Sequence, residues 1–165
     1  MSEGRARPNW LPPVLVAAVA AMFVAFLGAT VTDLGDWYQH LKKPGWTPPG
    51  PAFGIIWTIV FTTTAVAGVT AWRGSRTTAS SDLLVGMFAM NGFLNILWSL
   101  IFFRMQRPDW AFGELMLLWL SIVLLLVACW RRSRVAGLLI LPYLAWVTAA
   151  GALNWQIVAL NGPFG

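Results

Sequence analysis

AFGIIWTIVFTTTAVAGVTAW, running from Ala52 to Trp72, contains no charged side chain. At about 1.5 Å of rise per residue such a segment is ~30 Å long as a helix, the thickness of a bilayer's hydrocarbon core. Hydrocarbon offers backbone groups no water to bond, and a helix satisfies them within itself. One comparable segment precedes it, about Pro12 to Val31, with Pro12 and Pro13 tolerated in a first helical turn. Three follow it, about Asp82 to Phe103, Trp110 to Trp130 and Val135 to Leu160. The sequence therefore predicts an all-α membrane protein, a five-transmembrane-helix bundle forming a single domain over residues 1–165.

Composition agrees. Of 165 residues, 58% are hydrophobic and 10% charged, where a soluble domain carries about a quarter charged. The net charge of +5 comes from cations standing singly or in pairs beside apolar segments. That pattern suits lipid headgroups and argues against a nucleic-acid partner. Cys129 is the single cysteine, so no intrachain disulfide is expected and no metal site is built on it. Arg5 and Arg7 before an apolar stretch resemble a secretion signal, but Val14 to Val31 exceeds a usual signal core, so a retained first helix is expected.

Arg5, Arg7, Arg73, Arg76, Arg131, Arg132 and Arg134 fall on one side of the predicted topology. Lys42, Lys43, Arg104 and Arg107 fall on the other. The excess of cations on cytoplasmic loops predicts a cytoplasmic N-terminus in a cell membrane. The one long connector, about Thr32 to Pro51, holds Trp37, Tyr38, Trp46 and the prolines 44, 48, 49 and 51. Prolines so dense argue against a regular helix and for a stiff path. Such a loop serves either as a lid or as an interfacial anchor.

Polar residues inside the spans need partners. Asn91, Asn95 and Ser99 share one face of the third span, with Trp98 beside them. Tyr143, Trp146, Ala150 and Asn154 share one face of the fifth, and Trp57, Phe61, Thr64 and Gly68 one face of the second. Periodicity leaves two readings open: interhelical hydrogen bonding, or a shared cavity for a flat, largely apolar ligand. Ala17, Ala21, Ala25 and Ala29 form a small-residue stripe on the first span, expected to pack within the bundle or between protomers. Pro142 predicts a kink in the fifth. Glu114, the one acid clearly within a span, is expected at the interface, paired with Arg104 or Arg107. His40, the only histidine, reads as solvated. No repeat points to an inverted-repeat transporter.

Trp37-Tyr38, Leu41, Lys43-Pro44, Trp46, Pro48-Pro49, Phe53 and Trp57-Thr58 resemble the first loop and second helix of the TspO/translocator family, the tryptophan-rich sensory proteins related to the peripheral-type benzodiazepine receptor. Asn95, Trp98-Ser99 and Phe102-Phe103 are similar to its third helix, Trp119 to its fourth, and Pro142-Tyr143-Leu144-Ala145-Trp146 with Leu153-Asn154 to its fifth. The resemblance covers practically the whole chain. It implies a homodimeric five-helix bundle with a cavity under the first loop that takes porphyrins such as protoporphyrin IX and haem. It implies ligand contacts at Trp46, Trp57, Asn95, Trp98, Trp119, Tyr143, Trp146, Ala150, Leu153 and Asn154. No metal site and no required cofactor follow; porphyrin or haem enters as ligand.

Three departures stand out. Asn91 replaces a common glutamine, Phe61 a common tyrosine, and the sterol-associated tyrosine-basic motif after Leu153-Asn154 is missing. The function implied is a membrane receptor or regulator in tetrapyrrole homeostasis or stress signalling, favoured over an enzyme. Its alternatives are light-dependent porphyrin degradation, with Trp57 and Trp146 supplying electrons, and facilitated transport of tetrapyrroles or sterols.

Overall fold

A computed structural model describes residues 11–164; Arg5 and Arg7, counted above for orientation, lie outside the described residues. The helices are α1 (Leu11–Val31), α2 (Asp36–His40), α3 (Gly50–Arg73), α4 (Thr78–Ser99), α5 (Pro108–Trp130) and α6 (Arg134–Asn161). A π-helical turn, Leu100–Arg104, extends α4. Five of these segments, α1, α3, α4 with its π turn, α5 and α6, are long and apolar enough to cross a membrane. The all-α, five-span expectation is borne out.

Local chemistry sets the helix ends. The Thr77 side chain accepts from the Ser80 amide at 3.2 Å, so α4 starts at Thr78 instead of near Asp82. Ser133 caps α6 in the same way, accepting from the Ala136 amide at 3.4 Å. Proline in the first turn opens α3 and α5, where its missing N–H costs nothing. The long connector departs from the expectation of an irregular path: Asp36–His40 forms one short helix before the first proline of the cluster, Pro44. Past α4, the amide of Met105 reaches back to the Leu100 carbonyl at 3.0 Å. Gln106 then takes a positive φ of 55° to reverse the chain into α5. The widened turn aims both Phe102 and Phe103 into the protein, where they are buried.

The spans form a ring in which α1 packs against α3 and α4, α3 against α6, α6 against α5, and α5 against α4. The main core lies where α3, α5 and α6 meet, around Val60, Ile122, Ile140 and Tyr143. α1 contributes no buried residue. It approaches α4 closely at Gly92, where an added Cβ would stand 3.0 Å from Val24 Cγ2.

At the end opposite the long loop, Arg132 ties three elements together. It donates to Ser75 Oγ at 3.2 Å, to the Ala128 carbonyl at 2.8 Å, and to the carbonyl and Oγ of Ser80, each at 2.9 Å. Bonds from a charged donor are worth about 1.5–3 kcal/mol net. Arg132→Ala should lower stability by about that amount, while Arg131→Ala, at an exposed neighbour, should stay within about 0.5 kcal/mol. Unfolding of both variants in detergent checks the difference.

Candidate functional site

The interior of the ring is partly empty. A cavity of about 1210 Å³ lies among α1, α3, the end of α4, and α6, beneath the long loop. That exceeds the roughly 300–1,000 Å³ of an ordinary small-molecule site.

Its roof is held in place by aromatic contacts and hydrogen bonds. Trp37 of α2 packs edge-on against Phe102 with centroids 6.0 Å apart, and Tyr38 lies 5.6 Å from Phe103. Lys43 Nζ stands 4.4 Å over the Tyr38 ring. Burial pushes the Tyr38 hydroxyl above its usual pKa. Two reciprocal bonds join the roof to α6: the Lys42 amide donates to Asn161 Oδ1, and Asn161 Nδ2 donates to the Lys42 carbonyl, both at 2.8 Å. Arg104 closes the α1 side, donating to the Thr30 carbonyl at 2.8 Å with Asp33 at 3.9 Å.

The walls are aromatic. Trp57 stacks on Phe61 at 5.2 Å and stands perpendicular to Trp146 at 6.3 Å. Phe53 meets Trp146 edge-on at 5.6 Å. Trp98 lies 5.1 Å from Phe102. The Trp146 indole N–H is buried and has no hydrogen-bond partner, while its residue lines the cavity. A donor left unpaired in hydrocarbon is costly, and a ligand acceptor would satisfy it.

Behind the aromatic layer the amides are largely occupied. Asn95 Nδ2 donates to the Tyr143 hydroxyl at 3.1 Å. Asn91 Nδ2 donates to Ser121 Oγ at 2.8 Å. Asn154 accepts from Trp98 Nε1 at 3.2 Å and donates to the Pro108 carbonyl at 2.7 Å. These bonds tie α4, α5 and α6 to one another. The faces of α4 and α6 thus carry hydrogen bonds between helices and also bound a cavity, whereas the α3 face bounds it through Trp57 and Phe61 and leaves Thr64 Oγ1 buried and unbonded.

Of the residues singled out in the sequence, Trp57, Asn95, Trp98, Trp146, Ala150, Leu153 and Asn154 line this cavity. Tyr143 does not; it is 2% exposed and acts from behind, by holding Asn95. Trp119 is exposed on the outer surface, where its indole N–H donates to Thr148 Oγ1 at 2.9 Å. Trp46 is also exposed and donates to Gln156 Oε1 at 3.3 Å, which makes it a tether of the roof. The alanine stripe of α1, expected as a packing face, faces the bundle, where Ala17, Ala21, Ala25 and Ala29 line the cavity. Phe53, Phe61 and the pair Phe102 and Phe103 belong to the site as well. The last two are aimed inward by the π turn, for which no sequence signal exists.

Glu114 corrects an expectation. Arg107 pairs with Asp109, Arg104 with Asp33, and Glu114 is buried in α5 with neither carboxyl oxygen bonded. Arg107 is drawn to Asp109 because the two lie within one turn, and its guanidinium also covers the Trp110 ring at 4.1 Å. Among the described residues no cluster of three or more His, Cys, Asp or Glu side chains stands ready for a metal ion.

Compared with known proteins, residues 13–160 match the TspO/MBR family. The chain is 41% identical to the tryptophan-rich protein TspO of Chlorobaculum tepidum, over 84% of this chain and 89% of that one. It is 36% identical to protein CrtK of Rhodobacter capsulatus, over 87% and 91%. It is 29% identical to the translocator protein of Sus scrofa, over 91% and 90%.

Two substitutions should move stability in opposite directions. Glu114→Met removes two unpaired oxygens at nearly constant volume and should stabilise the protein by about 1–3 kcal/mol. Asn154→Leu strands Trp98 Nε1 and removes the bond to the Pro108 carbonyl, and should cost about 1–3 kcal/mol. Unfolding midpoints in one detergent decide both signs.

Proposed function

This chain belongs to the TspO/MBR family, and on that premise we propose that it is a membrane receptor or regulator that binds a porphyrin, protoporphyrin IX or haem, in the cavity beneath its loop. One observation carries the reading: two tryptophans, Trp57 and Trp146, stand at right angles on the cavity wall, and the indole N–H of Trp146, buried behind its ring, is left without a partner in the protein and becomes available to a ligand only by a turn of that ring. A flat macrocycle offers a face to Trp57 and acceptors or carboxylates to the N–H. Among the described residues, the charged side chains lining the cavity are Lys43 at the loop end and Arg73 at the far end, with no acid. Lys43 Nζ, which donates long bonds to the Gln39 and Leu41 carbonyls at 3.4 and 3.3 Å, would turn to a ligand carboxylate at the mouth. Asn154 has both amide ends engaged within the protein, so it shapes the wall by fixing Trp98.

The same reading places the arginine end in the cytoplasm of a bacterial cell, with the roof outside, by the excess of loop cations. Family resemblance adds a homodimer, which cross-linking in native membranes tests.

A second reading, breakdown of bound porphyrin by light and dioxygen, draws on the same indole pair. Illumination in air should then convert the porphyrin to a defined product faster than in a Trp57→Phe, Trp146→Phe variant. Bleaching at the rate of a detergent control removes this reading.

Binding itself is checked by titrating purified protein with protoporphyrin IX and following tryptophan quenching. Each aromatic pair is worth about 0.5–1.5 kcal/mol beyond its buried area. The double variant Trp57→Phe, Trp146→Phe should therefore weaken Kd by roughly 5- to 150-fold. Unchanged affinity would place the ligand elsewhere.

A further inference from the structure

The cavity does not end beneath the aromatic cluster. It continues down α3 as a groove facing α1, past Thr62, Ala65 and Val69, to Arg73. α1 and α3 run antiparallel here, so Val14 and Ala17 of α1 line the Arg73 end. The groove is open sideways: Met22 and Val66 line it and are nevertheless 62% and 49% exposed. Any occupant of this part is in direct exchange with the bilayer.

Its chemistry is that of a hydrocarbon slot with a cation at one end. Thr58 and Thr70 line it, but each returns its hydroxyl to its own helix, to the Gly54 carbonyl at 2.8 Å and the Val66 carbonyl at 2.7 Å. Those two hydroxyls have spent their protons and can only accept, and Thr62 is the third threonine of an otherwise apolar lining. Arg73 forms neither of the ion pairs found among the described residues. It is exposed and lies about 24 Å along α3 from Trp57, out of reach of a ring stacked there. From Phe61 to Arg73 the helix covers about 18 Å, near the ~15 Å of one leaflet's hydrocarbon. Arg76, Arg131, Arg132 and Arg134 stand at the same end of the bundle with Asp82 as the one acid nearby in sequence, so the local field favours an anion.

We propose that the groove between α1 and α3 holds one acyl chain of an anionic phospholipid, whose headgroup phosphate meets Arg73. The lipid enters sideways from the arginine-side leaflet. Its chain tip ends below Phe61, which leaves the aromatic part of the cavity free. This site is separate from the ring site proposed above and stands or falls independently of it.

Native mass spectrometry after delipidation and exposure to equal amounts of phosphatidylglycerol and phosphatidylcholine with the same chains tests the proposal. The wild-type chain should retain one lipid with a preference for phosphatidylglycerol. Arg73→Gln should reduce that preference about fivefold, the effect of one interfacial cation. Arg76→Gln, at the same end but outside the cavity lining, should leave it unchanged. Ala65→Trp should fill the groove and expel phosphatidylglycerol and phosphatidylcholine alike, while an unchanged helical circular dichroism spectrum in detergent shows that the variant is folded. The proposal is overturned if Arg73→Gln keeps the preference, or if Arg76→Gln lowers it as much, since the attraction would then be diffuse. Both arginines are exposed, so neither variant threatens folding.

Discussion

Hydrocarbon supplies no partner to a polar group, so most of the polar side chains inside this bundle are answered by the protein itself, with Glu114, Thr64 Oγ1 and Trp146 Nε1 as the exceptions among the described residues. Much of the architecture follows from that constraint. The amide of Asn154 bridges an indole on α4 and the first carbonyl of α5, while Asn95 reaches Tyr143 on α6 and Asn91 reaches Ser121 on α5. Such bonds average only about 0.6 kcal/mol each in a membrane. Their larger effect is on register, since an amide satisfied from two sides tolerates no sliding of the helices it joins. The result is a tied group, α4 to α6, with α3 packed on α6.

α1 is outside that arrangement. It brings no buried side chain and presents alanines to the interior, so nothing large fills the space between it and the tied group. The cavity is what remains when small residues face an aromatic wall. The loop then closes the top through its own contacts with the π turn and α6, which makes the roof a structural part of the site as well as an interfacial anchor.

Much of this was legible in the sequence because lipid imposes so strong a pattern. Uninterrupted apolar length located five spans, and fourfold spacing located the buried faces of α4 and α6: Asn91, Asn95, Ser99, Tyr143, Trp146 and Asn154 are all buried. Spacing tells which way a residue points but not what answers it. Asn154 reads equally as a ligand contact or a strut until Trp98 and Pro108 are seen on either side. Trp119 shares the tryptophan-rich character of the chain yet faces outward, since helix rotation is set by packing partners remote in sequence. The π turn depends on one extra residue accommodated near Leu100, which leaves no compositional trace. Glu114 was expected to meet an arginine by proximity in sequence; Asp109 lies closer to Arg107, and Asp33 reaches Arg104 across the loop.

The aromatic cavity is either a binding site or a gap in packing. A structure of the protein solved with protoporphyrin IX tests this most directly. The macrocycle should lie under the loop, against Trp57, with an acceptor within hydrogen-bond distance of Trp146 Nε1. A macrocycle seated on the outer surface, beside Trp119 or Trp155, with the inner cavity collapsed or filled only by lipid, would contradict it.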